Sequence, residues 1–188
     1  MAVFDPAYFR AQGWWRDETL SDWIDRCAAD APDRSAILAA GRALTYQTLQ
    51  ADVRSLAAGL ADAGIGRGDV VVVHLPNVPE FLIAWLAINT LGAVMQTVHT
   101  PYGIRELRHL IAHGGCKAAI ALARTRDRSP AADIVSLRER IPALRLVIAV
   151  GGDVPGAINF SVLLEQGRGK PPRPLALTGP TVGTPPQC

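Results

Sequence analysis

Cysteine is scarce in this chain of 188 residues, and the few cysteines form no recognisable pattern. Cys27, Cys116 and Cys188 are an odd number, and no two of them are spaced as CxxC. Such a set predicts neither a disulfide framework nor a zinc site, and it favours a reducing compartment. The sequence therefore predicts a cytoplasmic protein.

Long apolar runs and an excess of one charge are missing as well. The longest unbroken apolar run, residues 81–88, is far shorter than the roughly 18 residues of a membrane span. The first ten residues contain neither a basic leader nor an apolar signal core. The chain has 19 Lys and Arg residues and 17 Asp and Glu residues, so its net charge does not indicate a nucleic-acid partner.

What the chain does contain is a regular alternation of short apolar runs and helical patterns from residue 69 onward. Strands are predicted at 70–75, 93–99, 117–122 and 144–150, and helices at 78–91, 104–113 and 131–140. A helix near residues 20–28, a hairpin over 35–46 and a helix over 49–60 precede them. Strands that are apolar throughout belong to parallel sheets covered on both faces. With right-handed crossovers, the pattern predicts an open, doubly wound, mainly parallel α/β sheet with helices on both faces.

The chain divides into three predicted parts. Residues 1–18 form an N-terminal arm, residues 19–169 form the αβ subdomain, and residues 170–188 form a proline-rich tail. The tail carries six prolines without any periodicity, at positions 171, 172, 174, 180, 185 and 186. A segment of this composition does not build a core, so the tail is expected to be extended and disordered.

Three closely spaced glycines raise the alternative of a dinucleotide-binding domain. Gly64, Gly66 and Gly68 form a superficial glycine motif. In a true fingerprint the glycines follow a strand and open a helix, because the helix N-terminus receives the pyrophosphate. Here the glycines close a helix and precede a strand, which disfavours this alternative.

The stretch from Gly68 to Phe81 carries a family resemblance. An acid at a turn leads into a β-branched run that stops at Pro76-Asn77 and restarts as an apolar helix. With Leu44-Thr45-Tyr46 before it and Leu91-Gly92-Ala93-Val94 after it, the stretch resembles the opening of the adenylate-forming family of AMP-forming acyl- and aryl-CoA ligases, luciferases and peptide-synthetase adenylation domains. The order and spacing match over roughly residues 19 to 122.

The resemblance implies a parent reaction and its cofactors. A carboxylate attacks the α-phosphate of Mg-ATP to give an acyl-adenylate and pyrophosphate, and the CoA thiol then displaces AMP. The implied cofactors are ATP, Mg²⁺ and CoA. In the family the magnesium-binding acid, the acyl pocket, the hinge and the catalytic lysine come after this region, so the resemblance assigns no catalytic or metal-binding residue to this chain.

Two loops are implied on the CoA side of the site. In CoA ligases of the family, the loop after the strand at 93–99 lines the channel for the CoA thiol arm, and here it reads His99-Thr100-Pro101. Some relatives carry an aromatic residue and two glycines there, from which this loop departs. Arginines after the following strand contact CoA phosphates in some relatives, which makes Arg124, Arg126 and Arg128 candidates. A solvated surface loop is the alternative for both segments.

The tail falls where the family's phosphate loop, approximately Thr-Ser-Gly-Thr-Thr-Gly-x-Pro-Lys-Gly, is expected. Thr178, Thr181, Gly183 and Pro185 agree with that loop. Pro180 and Gln187 replace glycines, Val182 replaces a hydroxyl residue, and Pro186 replaces the lysine. The proline at 180 removes an N–H donor and fixes φ. Three interpretations stay open: a decayed phosphate loop, a chance match, and a frameshift or premature stop near Gly179.

Two functional hypotheses follow. The first is a truncated N-terminal fragment of an acyl- or aryl-CoA ligase that is inactive alone. The second is a non-enzymatic module that binds CoA or a nucleotide, or that is completed by a separately encoded remainder. Under the fragment hypothesis, an exposed apolar face is expected to bind the remainder or a second copy. His109 and His113 have the i,i+4 spacing of a metal pair but no third ligand, so a surface helix is expected there.

Overall fold

The computed structural model describes residues 5–15, 18–39 and 41–170. Its elements, in chain order, are α1 Pro6–Ala11, α2 Leu20–Asp30, β1 Ser35–Ala39, β2 Arg42–Thr45, α3 Tyr46–Asp62, β3 Val70–His74, α4 Pro79–Thr90, β4 Val94–Thr97, α5 Ile104–His113, β5 Ala118–Leu122, α6 Pro130–Ser136, β6 Leu146–Val150, β7 Ile158–Asn159 and α7 Phe160–Gly167. The first two strands form a separate antiparallel hairpin.

The other five strands form one parallel sheet in the order β4-β3-β5-β6-β7. The chain runs from β3 outward to β4 and then crosses back over β3 to build β5, β6 and β7 on the other side. This reversal of direction confirms the predicted open, doubly wound sheet with helices on both faces.

The sequence explains β3 and the helix after it. Val70 to Val73 supply four consecutive β-branched side chains, which suit a strand buried on both faces. Pro76 cannot donate to the ladder, so the strand ends before it. Pro79 stands in the first turn of α4, where its missing N–H costs nothing.

Two apolar cores lie on opposite faces of the sheet. Val71 and Val73 point into a core covered by α2, α3, α4 and α7, whereas Val72 points into a core covered by α5 and α6. The alternation of neighbouring side chains between the faces follows from the two-residue repeat of a strand. His74 ends β3 on the same side as Val72.

Several element ends differ from the sequence-based expectation. The helix expected over 131–140 covers only Pro130–Ser136, and it continues as turns in which Leu137 donates to the carbonyl of Ile134 at 3.0 Å. Three further elements, α1, β7 and α7, were not predicted. The expected disordered tail lies outside the described residues except for Lys170, and the domain boundaries remain predictions.

Strand β4 is an edge of the sheet, since its one hydrogen-bonded neighbour in the described ranges is β3. Around this edge, Val94 is 50% exposed and Trp85 of α4 is 39% exposed. None of the helices between residues 5 and 170 that the structure describes is long and apolar enough to cross a membrane.

Candidate ligand-binding edge of the sheet

The candidate site lies at the C-terminal ends of β3, β4 and β5, where ligands bind in open α/β sheets. A cavity of about 240 Å³ is formed there by residues 75–77 and 97–100. His99, Thr100 and Pro101 are exposed at its mouth. The sequence placed this loop correctly, at the end of β4.

The loop after β4 has a defined conformation. The N–H of Tyr102 donates to the carbonyl of His99 at 3.0 Å, and the two rings lie 6.0 Å apart between centroids. Glu106 in the first turn of α5 accepts from the N–H of Gly103 at 2.9 Å. Together these contacts close the turn and start the helix, leaving the side chains of residues 99–101 toward solvent.

Arg128 joins this loop to the loop after β5. Its guanidinium donates to the carbonyl of Thr100 at 2.6 Å, across 28 positions of sequence. The backbone of Arg128 is itself held by Thr125, whose N–H donates to the carbonyl of Arg128 at 2.8 Å. Since β3 lies between β4 and β5, the contact bridges the two loops across the end of β3.

The other two candidate arginines are placed differently. Arg124 and Arg126 are exposed in the same loop, and neither makes a hydrogen bond or ion pair with the described residues. The structure therefore brings one arginine of the three against the His99–Pro101 loop. The remaining two are free to turn toward a ligand from the same loop.

The sequence did not identify His74 as part of this region. The ring is 2% exposed, and neither nitrogen has a hydrogen-bond partner among the described residues. Burial lowers the pKa of His74, and the charge of Arg128 lowers it further, while the nearby backbone of His99 and Thr100 and the carboxyl of Asp133 oppose this shift. The backbone groups of His99 and Thr100 lie near enough to favour protonation of the His74 ring, but they do not meet the geometry of a hydrogen bond to it.

A second depression, of about 830 Å³, lies between the first half of α3 and the end of α7. It contains Asp52, whose pKa is raised by burial against the opposing charges of Arg168 and Arg42. Its walls belong to two packed helices and contain none of the candidate residues from the sequence. The smaller cavity, which is lined by the candidate residues His99 and Thr100, is therefore kept as the candidate ligand-binding site.

Metal ligation has little support within the part of the chain that the structure describes. No group of three His, Cys, Asp or Glu side chains is close enough there to hold an ion. His109 and His113 stack on the exposed face of α5 with centroids 5.9 Å apart. The candidate phosphate-loop residues Thr178, Thr181 and Gly183 lie outside the described residues.

Comparison with known proteins decides the family. The model of the family described as "AMP-binding enzyme" matches residues 24–177. The chain belongs to this AMP-binding enzyme family. Its resemblance to adenylate-forming ligases is thereby confirmed, and the parallel sheet and its helices are the N-terminal part of the family fold.

Individual relatives agree with this assignment. The chain is 35% identical to Triostin synthetase I of Streptomyces triostinicus over 187 residues, which cover 94% of this chain and 34% of that protein. It is 34% identical to an acetyl-coenzyme A synthetase of a Shewanella species over 116 residues, 57% of this chain and 18% of the relative. The solved apo structure of MbtA from Mycobacterium smegmatis matches with a TM-score of 0.75 and 29% identity, over 89% of this chain and 30% of that one. In each case the match spans about a third of the longer protein or less.

Proposed function

We propose that this chain supplies the N-terminal αβ scaffold of an AMP-forming acyl- or aryl-CoA ligase, and that its sheet edge receives the phosphate-bearing arm of CoA. The observation that carries the proposal is the hydrogen bond from Arg128 to the carbonyl of Thr100. It brings together the two loops for which the family resemblance separately implies contacts with CoA.

The chemistry of these loops suits a phosphate ligand. A guanidinium offers five donors in a planar fork, and the contact with Thr100 uses only part of them. Charge-assisted hydrogen bonds from arginine to phosphate are short and strong. Arg124 and Arg126, exposed beside Arg128, add positive charge that attracts a polyanion to this edge.

The parent reaction proposed for this scaffold is ATP-dependent adenylation of a carboxylate followed by transfer of the acyl group to the CoA thiol. We further propose that the 188-residue polypeptide alone does not carry out this reaction. At the position of the family's phosphate loop, Pro180 removes an N–H donor and Pro186 stands where a lysine is expected. Backbone N–H groups and a lysine are the groups such loops use to hold phosphates.

A direct assay tests this proposal. The purified chain is incubated with Mg-ATP, CoA and a panel of short, long and aromatic carboxylates, with a full-length CoA ligase as the positive control. We expect no release of pyrophosphate and no thioester above background. Formation of an acyl-adenylate or a thioester by this chain would show that the proposal of an inactive chain is wrong.

The open edge of the sheet favours a second candidate role, a module completed by another polypeptide. β4 presents the uncharged residues Val94 to Thr97, with Trp85 exposed nearby. Natural sheet edges that stay unpaired are commonly protected by charges, which this strand lacks. We expect sedimentation velocity to show association that grows with concentration and that Val94→Lys, a charge at the exposed position of this edge, abolishes. A monomer at all concentrations, with or without the substitution, would remove the support for this role.

A further inference from the structure

His74 lies buried at the end of β3, directly before the residues that begin the lining of the candidate cavity. It is the last residue of β3, the strand between β4 and β5, and it pairs with Ala121 of β5. The loops that follow β4 and β5 meet through Arg128 and Thr100. His74 therefore ends the one strand that both loops flank.

Burial of the His74 ring in this position is energetically unfavourable. It is 2% exposed, and both nitrogens are without a hydrogen-bond partner among the described residues. Leaving a buried polar atom unpaired is unfavourable, and an apolar side chain would avoid that cost. A buried polar group of this kind calls for an explanation other than packing.

Two charged side chains act on the ring, and a third charged side chain, Glu106, lies near one of them. Arg128 on the loop after β5 and Asp133 on α6 both act on the ring, as does the backbone of His99 and Thr100. On α5, Glu106 caps Gly103, and a Cβ placed on Gly103 would lie 3.4 Å from the Glu106 carboxylate and 3.7 Å from the Arg128 guanidinium. Glu106 and Arg128 thus lie on either side of Gly103, and the charge of Arg128 acts on a ring that is buried. Charges are screened less by a protein interior than by water.

We propose that His74 is a positioning residue that couples proton binding to the binding of a CoA phosphate at Arg128. The inference rests on the proposed function, since the anion is a phosphate of CoA. A phosphate beside Arg128 offsets the positive charge that opposes protonation of the ring, so the occupied site takes up a proton at His74. Because coupling between two sites is reciprocal, the protonated ring in turn strengthens phosphate binding.

The first experiment needs no ligand. The imidazole signals of the four histidines are titrated by NMR, and His74→Gln identifies the signal of His74. Removing the cation with Arg128→Gln should raise the pKa of His74, whereas the control Arg54→Gln, on the opposite face of the sheet, should not change it. An unchanged His74 titration in Arg128→Gln overturns the inference.

The second experiment measures CoA affinity from pH 8 to pH 5.5 in the wild type and in His74→Gln. Glutamine keeps one donor and one acceptor but does not titrate. On acidification we expect the wild type to gain affinity by about five-fold relative to the variant, the lower end of typical coupling between sites. Pantetheine, which has no phosphate, should show no such gain. Parallel pH profiles for CoA overturn the inference.

The two experiments separate this inference from the proposed function. If CoA binds neither protein at any pH, the proposed function fails. The titration of His74 in Arg128→Gln still decides in that case whether the histidine and the arginine are coupled.

Discussion

Asp69 and Lys117 form an ion pair of 2.5 Å between the residues that precede β3 and β5. Asp69 also accepts the N–H of Gly66 at 3.0 Å, so one carboxylate holds the turn before β3 and the start of the neighbouring strand. The pair lies at the N-terminal edge of the sheet, opposite the candidate site. It therefore stabilises the register of the strands without taking part in ligand binding.

We expect Asp69→Asn to lower the free energy of unfolding by about 1 kcal/mol, a value reduced for the partial exposure of Lys117. Urea unfolding of Asp69→Asn, Lys117→Met and the double variant measures the coupling between the two side chains. If the two single losses simply add in the double variant, the ion pair contributes no coupling and the account of it is wrong.

The ion pair of Asp69 and Lys117 also makes the stability of the fold depend on pH. Burial favours a higher pKa for Asp69, but the hydrogen bonds from Lys117 and Gly66, with the charges of Lys117 and Arg145, lower it overall. The folded-state pKa is thus below the unfolded value of about 3.9. The stabilisation is present above that value and is lost as the pH falls through the folded pKa. Asp69→Asn should flatten the acid limb of a stability–pH curve, which can be measured by urea unfolding between pH 5 and pH 2.5.

Gly167 and Gly59 allow α7 to pack directly on α3. A Cβ on Gly167 would lie 1.9 Å from the carbonyl oxygen of Ser55, which is backbone that cannot move aside alone. Gly167→Ala should therefore destabilise the protein by about 3 kcal/mol, the upper range for overpacking. Gly66→Ala is the matched control, because nothing lies within 4 Å of its Cβ position, and it should be neutral or slightly stabilising. Equal urea midpoints for the two variants would contradict the close helix contact.

The two described cysteines should differ in reactivity. Cys116 is buried, its thiol donates to Gln96 at 3.3 Å, and burial raises its pKa to about 11. At pH 8 only about a thousandth of it is then thiolate, the reactive form. Cys27 is half-buried. Iodoacetamide labelling followed by peptide mass mapping should modify Cys27 first in native buffer and both in urea. Rapid native labelling of Cys116 would contradict its burial.

His74 should destabilise the fold as the solution becomes acidic. Its folded-state pKa is lowered below the unfolded value of about 6.5. The unfolded chain therefore binds more protons, and stability falls as the pH drops from about 6.5 through the folded pKa. His74→Gln should remove this decline, as measured by urea midpoints between pH 8 and pH 5. A variant whose midpoints decline in parallel with the wild type would show that another group is responsible.

The sequence predicted correctly those helices and strands for which residue type, hydrophobic pattern and flanking turn residues all favour the same structure. Four consecutive valines between Asp69 and Pro76 leave little choice but a buried strand, and the repeated pattern after it predicts the doubly wound sheet. Element ends were less predictable, because turns after α6 are held by backbone hydrogen bonds that the helical pattern does not reveal. β7 and α7 lie beyond Pro155 and Gly156, and no element was predicted from the sequence after the strand at 144–150.

The site was predictable only in part. The loops of His99 and Arg128 were found through the family resemblance, but their contact depends on β3 lying between β4 and β5. A sequence without strand order cannot show that residues 28 positions apart meet. His74 could not be identified from the sequence, since a lone histidine in a strand gives no sign that its nitrogens are unpaired.

The most direct test of the account is a ¹H–¹⁵N NMR titration of the 188-residue chain with CoA. We expect chemical-shift changes concentrated at residues 99–103 and 124–128, weakened in Arg128→Gln and retained in Arg54→Gln. Shifts that are absent from these loops, or that centre on residues 47–55 and 167–170 around the other depression, would contradict the assignment of CoA to the sheet edge.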